Sequence, residues 1–335
     1  MLMAVGSLIA IVTLFDALYT TLGNRGAGPL TGLWTRVLWR AALSLRYRFG
    51  WKRFLSALAP LILIGIIVVW NVLFYLAYFL IFSSTGDALT HAKDRQVDEL
   101  DTLYYIGSTF STLGLGDLQP TGFPWTMFTS LGATVVTLLT TLSISYLIPV
   151  LSAVVERRAL ISSINAIGET SEKIFESAWT GADARAADSY IRSIADSLTQ
   201  AAFKTHIYPV LRYYYFCDEQ SSLSAAVLRL YDALLLQTIS PKNDGHTPPV
   251  NLKILLNCVE TYARQISDEK ISAEYEEECG DDDFYALAQQ CLGMEISEGT
   301  KLPGERAKVR QRLKYHVVLE GCGDAIRNNP PISAA

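Results

Sequence analysis

The chain has 335 residues, half of them hydrophobic, and a mean hydropathy of +0.23, too apolar for an ordinary soluble protein and too polar to lie wholly in a membrane. Residues 1–158 hold nearly all the long apolar runs and 11 Lys+Arg against 8 Asp+Glu, whereas residues 159–335 hold 17 against 25. An acidic second half excludes nucleic acid as a partner, because phosphate contacts need a basic surface.

The first element is Met1–Leu22, apolar except for Asp16. It lacks a basic leading region and a small-x-small cleavage site, so it reads as a span rather than a signal peptide. An ionisable residue inside a span is a functional hypothesis by default. Asp16 is expected either to pair with Asn71 or to lie near the membrane interface.

Residues 23–59 carry seven basic side chains (Arg25, Arg36, Arg40, Arg46, Arg48, Lys52, Arg53) and no acidic one. Leu33, Trp34, Val37, Leu38, Ala41 and Leu45 recur there at helical spacing. The segment is either a helix lying on the inner leaflet or a simple helical linker.

Pro60–Phe82 is 23 residues without a charge, long enough to cross a bilayer with some tilt. After it, Ser83–Asp101 is acidic on balance. Between Asp117 and Glu156 no charged residue occurs, and residues 124–155 form the third expected span. Arg157 and Arg158 close it. The positive-inside rule then places the basic loop and the second half in the cytoplasm, and the amino terminus outside. No span carries a regular row of arginines, which sets a voltage sensor aside.

Between the second and third spans, "DTLYYIGSTFSTLGLGDLQPTG" (Asp101–Gly122) is too apolar for a solvated loop. A short helix over 101–112 is expected, then Thr112-Leu113-Gly114-Leu115-Gly116-Asp117, with Pro120 ending any continuation. Two glycines one residue apart point to non-helical backbone. Within a bilayer, such backbone survives only where protein buries it or water lines it. A helix followed by extended glycine-containing chain that returns to the side it entered is a re-entrant loop.

Span, short helix, T-x-G-x-G-D and span together resemble the pore module of the potassium channel superfamily, over about Pro60–Arg158. The segment 112–117 is similar to the signature TVGYGD, and most of all to the second pores of two-pore-domain potassium channels. The resemblance implies that Thr112, Leu113, Gly114, Leu115, Gly116 and Asp117 bind the ion, chiefly through backbone carbonyls that replace its water shell. It implies support from Tyr104, Tyr105, Thr109 and Ser111. It departs at Leu115, where most members have Tyr or Phe, and at Ser108, where some have an acidic residue. Because one chain holds one such loop and shows no internal repeat, it further implies a homotetramer with permeant K+ and no resident cofactor.

In the third span Thr134, Thr137, Thr141 and Ser145 share one helical face. They either line a hydrated cavity or bond their own backbone. Pro149 removes a helix hydrogen bond near the inner end, and Gly132 is a second candidate flexure. Both are read as gate positions, against ordinary helix packing.

From about Ala159 the pattern is helical, notably at 187–204, 222–239 and 249–266, with loops at 243–249 and 279–283. The cysteines (Cys217, Cys258, Cys279, Cys291, Cys322) form no CxxC pair and read as reduced thiols. His91, His206, His246 and His316 are isolated, with no metal spacing. The acidic run Glu274–Asp283 lacks EF-hand spacing and reads as a solvated face. "YPVLRYYYF" (Tyr208–Phe216) is left open as core, subunit interface or ligand pocket. No catalytic constellation is present.

The whole reads as an all-α membrane protein of the inner cell membrane. Its N-terminal helix is 1–22, its basic loop 23–59, its pore module 60–158, and its helical cytoplasmic domain 159–335. The expected function is a potassium-selective channel assembled or gated by that domain, with a cytoplasmic ligand left unnamed. The alternatives are a weakly selective cation channel and a non-conducting membrane-anchored signalling protein.

Overall fold

The structure is a computed structural model that describes residues 1–23, 27–49, 52–91, 96–179, 184–214, 222–240, 250–266, 282–292, 302 and 304–320. Arg25, Lys93, Asp94, Arg95, Cys217, Cys279, Cys322 and His246 lie outside the described residues. So do residues 215–216, the loop 243–249 and the acidic residues 274–281. The chain divides into two compact units, Met1–Trp39 with Pro60–Val150, and Arg40–Ala59 with Leu151–Ala335.

Among the described residues, three helices are long and apolar enough to cross a membrane: Leu2–Leu22, Pro60–Phe82 and Trp125–Ile167. This is an all-α, multi-pass membrane protein. In chain order its helices are α1 (Leu2–Leu22), α2 (Pro29–Phe49), α3 (Lys52–Phe82), α4 (Glu99–Phe110) and α5 (Trp125–Ile167). Then follow α6 (Ser171–Trp179), α7 (Ala184–Ile207), a 3-10 turn (Pro209–Tyr213), α8 (Leu223–Ile239), α9 (Val250–Ile266), α10 (Asp282–Leu292) and α11 (Gly304–Glu320). The second span keeps its expected bounds, Pro60–Phe82, within a longer helix that begins at Lys52, and α5 extends past the expected residue 155 to Ile167.

In the first unit, α1 turns its small and polar residues inward. Gly6, Thr13, Asp16, Ala17 and Thr20 are buried, while Leu8, Ile11 and Phe15 are exposed. Without a hydrophobic force between helices in lipid, close packing must hold them together, and small residues allow it. A Cβ at Gly6 would sit 2.5 Å from the Ala77 carbonyl oxygen of α3, and one at Gly65 would sit 2.6 Å from Nε1 of Trp34 on α2.

Asp16 corrects the pairing expected from sequence. Its partners are Trp70 and the start of α2, whereas the Asn71 Nδ2 donates to the Ile67 carbonyl of its own helix at 2.8 Å. Trp70 Nε1 donates to Asp16 Oδ2 at 2.9 Å, Leu30 N to Oδ1 at 2.7 Å, and the Thr31 hydroxyl to Oδ2 at 2.6 Å. The first amides of a helix lack intrahelical partners and attract an acceptor. Asp16 supplies it from another helix, tying α1, α2 and α3 at one point.

The second unit has its own core. Its centre is α8, buried on nearly all sides from Leu223 to Leu236, as a helix that is apolar all round must be. It packs against α6 and α11, and α9 lies against α7 and α11. Leu160, Ile161 and Ile164 from the last part of α5 join the same core. Of the three readings left open for "YPVLRYYYF", the described part favours core: Val210, Leu211 and Tyr214 are buried. The Lys204 ammonium pairs with the Glu156 carboxylate, and Arg157 Nη1 donates to the Leu211 carbonyl at 2.7 Å.

One polar network crosses this core. Arg310, 2% exposed, donates to Asp232 through Nε at 2.7 Å and Nη2 at 3.2 Å, and to Asp283 at 3.0 and 2.8 Å. Lys314 Nζ reaches Asp283 at 2.6 Å. Burial pushes the Asp232 carboxyl up despite the guanidinium beside it. At Asp283 burial acts in the same direction, but the hydrogen bonds from Arg310 and Lys314 outweigh it and hold that carboxyl well below the usual range.

Candidate functional site

The site is built on α4. Asp98 caps it: its side chain accepts from Asp101 N at 2.7 Å, and the Asp101 carboxylate accepts from Asp98 N at 3.1 Å. This reciprocal capping box satisfies two orphan amides, and such a cap contributes about 1 kcal/mol. It explains why the helix spans Glu99–Phe110 and not the expected 101–112.

The other end is held by backbone. Leu113 N donates to the Ser108 carbonyl at 2.9 Å and Thr112 N to the Thr109 carbonyl at 3.1 Å. That pair of bonds is a Schellman stop, which needs a left-handed residue just past the cap, usually glycine. Here the residue is Thr112, at φ 63°. A β-branched residue in that region is an outlier costing on the order of 1–3 kcal/mol, and such strain clusters at functional sites. Gly114 at φ 55° and Gly116 at φ 80° follow, whereas Leu113 and Leu115 are not at positive φ. The sign of φ therefore alternates at every residue from 112 to 116. Ser111 to Gly116 are all exposed, Leu113 and Leu115 at 67% and 62%.

The returning chain is pinned on two sides. A short antiparallel ladder pairs β2 (Leu118–Pro120) with β1 (Leu89–His91), and the Thr121 hydroxyl donates to the Asp87 carbonyl at 2.8 Å. Tyr104 brings its hydroxyl within side-chain hydrogen-bonding reach of Asp117. The Tyr105 hydroxyl donates to Thr129 Oγ1 at 2.8 Å, and Thr129 in turn donates to the Trp125 carbonyl at 2.9 Å. Thus the two tyrosines diverge, one to the glycine segment and one to α5. Ser111 Oγ donates to the Ser108 carbonyl at 3.3 Å. For Thr109 the backbone carbonyl, accepting from Thr112, is the contact made to this segment.

The brace that sequence reasoning missed is Phe110. Its ring lies 5.7 Å from Phe74, 5.2 Å from Tyr75 and 5.0 Å from Tyr78, all on α3. Phe82 continues the cluster to Tyr105 at 5.7 Å and Trp125 at 5.3 Å. The legible signal was an aromatic at every turn of the α3 face, Phe74, Tyr78 and Phe82. Edge-on and tilted pairs of this kind add to packing beyond area alone.

Gly132 belongs to this cluster. It is buried within an unbroken helix, where a Cβ would lie 2.5 Å from Tyr78 Cε1 and 2.9 Å from Phe110 Cε1. Gly132→Ala is expected to destabilise the protein by about 1–3 kcal/mol, the usual range for overpacking, read as a lowered melting temperature in detergent. A flexure role alone would leave that temperature unchanged or raise it, since alanine is the better helix former. Thr134, Thr137, Thr141 and Ser145 are exposed on one face of α5. The three threonine hydroxyls donate to Ser130, Ala133 and Thr137 carbonyls at 2.8–3.0 Å. Of the two readings of that face, the bonding of the threonine hydroxyls to their own helix is seen, and the face is exposed. Pro149 sits half-buried inside α5, which continues through it.

Residues 62–153, which contain this whole arrangement, match a family described as ion channel. Over 233 residues the chain is 31% identical to the "uncharacterized membrane protein YdjJ" of Bacillus subtilis (strain 168), covering 69% of this chain and 68% of that one. The chain belongs to the ion-channel family. No solved structure matches it. It is an ion-channel protein and not an enzyme. The matched residues include α4, the glycine segment and the aromatic brace, and they end inside α5.

Proposed function

We propose that this ion-channel protein is a potassium-selective channel whose filter is Thr112–Asp117. The observation that carries the reading is the positive φ at every second residue, Thr112, Gly114 and Gly116. Residues alternating between left- and right-handed conformations make a ribbon whose carbonyls share one side, the oxygen cage a dehydrated K+ requires. One segment supplies one quarter of a four-fold ring, so four chains assemble around it. Leu113 and Leu115 are the side chains that a neighbouring chain would cover. α4 directs its carboxyl end, with its partial negative charge, toward the cavity below the filter. The exposed Thr134–Ser145 face lines that cavity, and Pro149 lies toward its inner mouth.

The orientation follows the loop charges: basic residues 23–59 and the C-terminal unit are cytoplasmic, in the cell's plasma membrane. Because α5 runs unbroken into the core of that unit, we assign it the role of gate or assembly domain. Leu115 favours a second reading, a cation channel of weaker selectivity.

Flux from proteoliposomes under K+ or Na+ gradients tests both readings. Gly114→Ala forces a Cβ into the left-handed region at roughly 1 kcal/mol per chain. Over four chains the conducting ring becomes rarer by about a thousandfold, so K+ flux should vanish. Equal K+ and Na+ flux in the wild type would favour the weaker selectivity. A closed gate is separated from a dead pore by melting: K+, but not Na+, should raise the melting temperature of the wild type, because a ligand stabilises the state that binds it. No flux and no K+-specific stabilisation would leave a non-conducting membrane anchor.

A further inference from the structure

The helix α2 has an exposed face. Its inward side is fixed: Thr31, Thr35 and Trp39 are buried, and the Asp16 carboxylate grips its first turn. Its outward side shows Leu33, Arg36, Val37 and Arg40, all exposed, at the i, i+3, i+4, i+7 spacing of a single stripe. Arg36 lies along that stripe, with Nε donating to the Gly32 carbonyl at 3.1 Å.

We propose that this stripe binds the headgroups of anionic phospholipids. Three observations choose that occupant. First, the helix is tied by Asp16 to the end of one span and leads into the next, so it is held at membrane level. Second, cationic and apolar side chains share one face. A phosphate-bearing interface meets this mixture with headgroups above and acyl carbon below, whereas water meets it poorly. Third, residues 23–59 carry seven basic side chains and no acidic one. The charge is therefore complementary to an anionic leaflet along the whole loop. The inference stands on the spans and does not rest on conduction.

The test is lipid recovery from the purified full-length chain. Protein is equilibrated in mixed micelles with equal phosphatidylglycerol and phosphatidylcholine, repurified, and its retained lipid is measured by mass spectrometry. Phosphatidylglycerol should be enriched, and enrichment should fall as ionic strength rises. Arg36→Gln with Arg40→Gln should lower it by about fivefold for each arginine removed. The control Lys253→Gln, an exposed cation of the second unit, should leave it unchanged. Arg36→Lys with Arg40→Lys should largely restore it, which separates loss of charge from loss of fold. Inorganic phosphate at millimolar concentration should not displace the lipid. Equal recovery of the two lipids overturns the proposal and leaves the stripe to a protein partner. So does unchanged enrichment in the glutamine variant. Full displacement by phosphate overturns the lipid in favour of a free anion.

Discussion

Arg310→Met is expected to destabilise the C-terminal unit by about 3–5 kcal/mol, the range for removing one partner of a buried ion pair. Asp232 is 6% exposed on the central helix α8, and both its carboxylate oxygens accept from Arg310. Without the guanidinium, that carboxyl has lost the group that offsets its burial, and α8, α10 and α11 lose their common tie through Asp232 and Asp283. The Phe284 ring, 5.3 Å from the Arg310 guanidinium carbon, loses its cation as well. The measurement is hydrogen exchange of the full chain, read over Leu223–Ile239 and Gly304–Glu320. Protection should fall by two orders of magnitude or more in both segments, since each 1.4 kcal/mol is tenfold. The companion Asp232→Leu with Arg310→Met removes both charges. It should recover most of the protection, because an apolar replacement for a buried pair is near neutral. Asp232→Leu with Arg310→Met no better than Arg310→Met alone would show that the cost lies in packing and not in the stranded carboxylate.

Asp16→Leu is expected to cost about 3 kcal/mol or more in the first unit, because it leaves several buried neutral donors without an acceptor. It strands the Trp70 indole N–H, the Thr31 hydroxyl and the Leu30 amide, all donors to Asp16. A buried donor left without an acceptor costs about 1–3 kcal/mol, and in lipid there is no water to replace it. Trp70→Phe removes one donor and leaves a cavity where the larger indole was, so its cost is the lost hydrogen bond plus that cavity. Melting temperatures of the two single variants and the double variant in detergent give the coupling. A double variant that costs less than the sum of the two single variants is the expected result. Strict additivity would mean that Asp16 and Trp70 do not act as a pair.

The spans are legible because a charge-free run of twenty or more residues has few other uses, and Pro60–Phe82 is such a run. The glycine segment is legible for a related reason: Gly114 and Gly116 sit where left-handed backbone is needed, and glycine adopts it at least cost. Thr112 is not legible in that way. Its side chain argues against the conformation that it holds, and only the closure of the helix stop onto Ser108 and Thr109 reveals it. The Asp98–Asp101 cap is local and readable in retrospect as an acidic residue repeated at a spacing of three. The partner of Asp16 is different in kind. Asn71 and Trp70 are adjacent in sequence, but on a helix they face about 100° apart, and choosing between them requires knowing which face of α3 meets α1. Arg310 and Asp232 are 78 residues apart, beyond any local pattern.

The Asp16 knot also sets an order of manufacture. The chain is made from its amino end, so α1 is complete while Trp70, 54 residues downstream of Asp16, is still unmade. A lone carboxylate opposes insertion by about 2.5–3.5 kcal/mol at the middle of a bilayer, and by less toward its edge. Leu30 and Thr31, 14 and 15 residues on, are available much sooner. The first intermediate to shelter the acid is therefore a hairpin of α1 with the start of α2. The indole of α3 arrives afterwards and seals it, so the first two helices serve as a receiving site for the third.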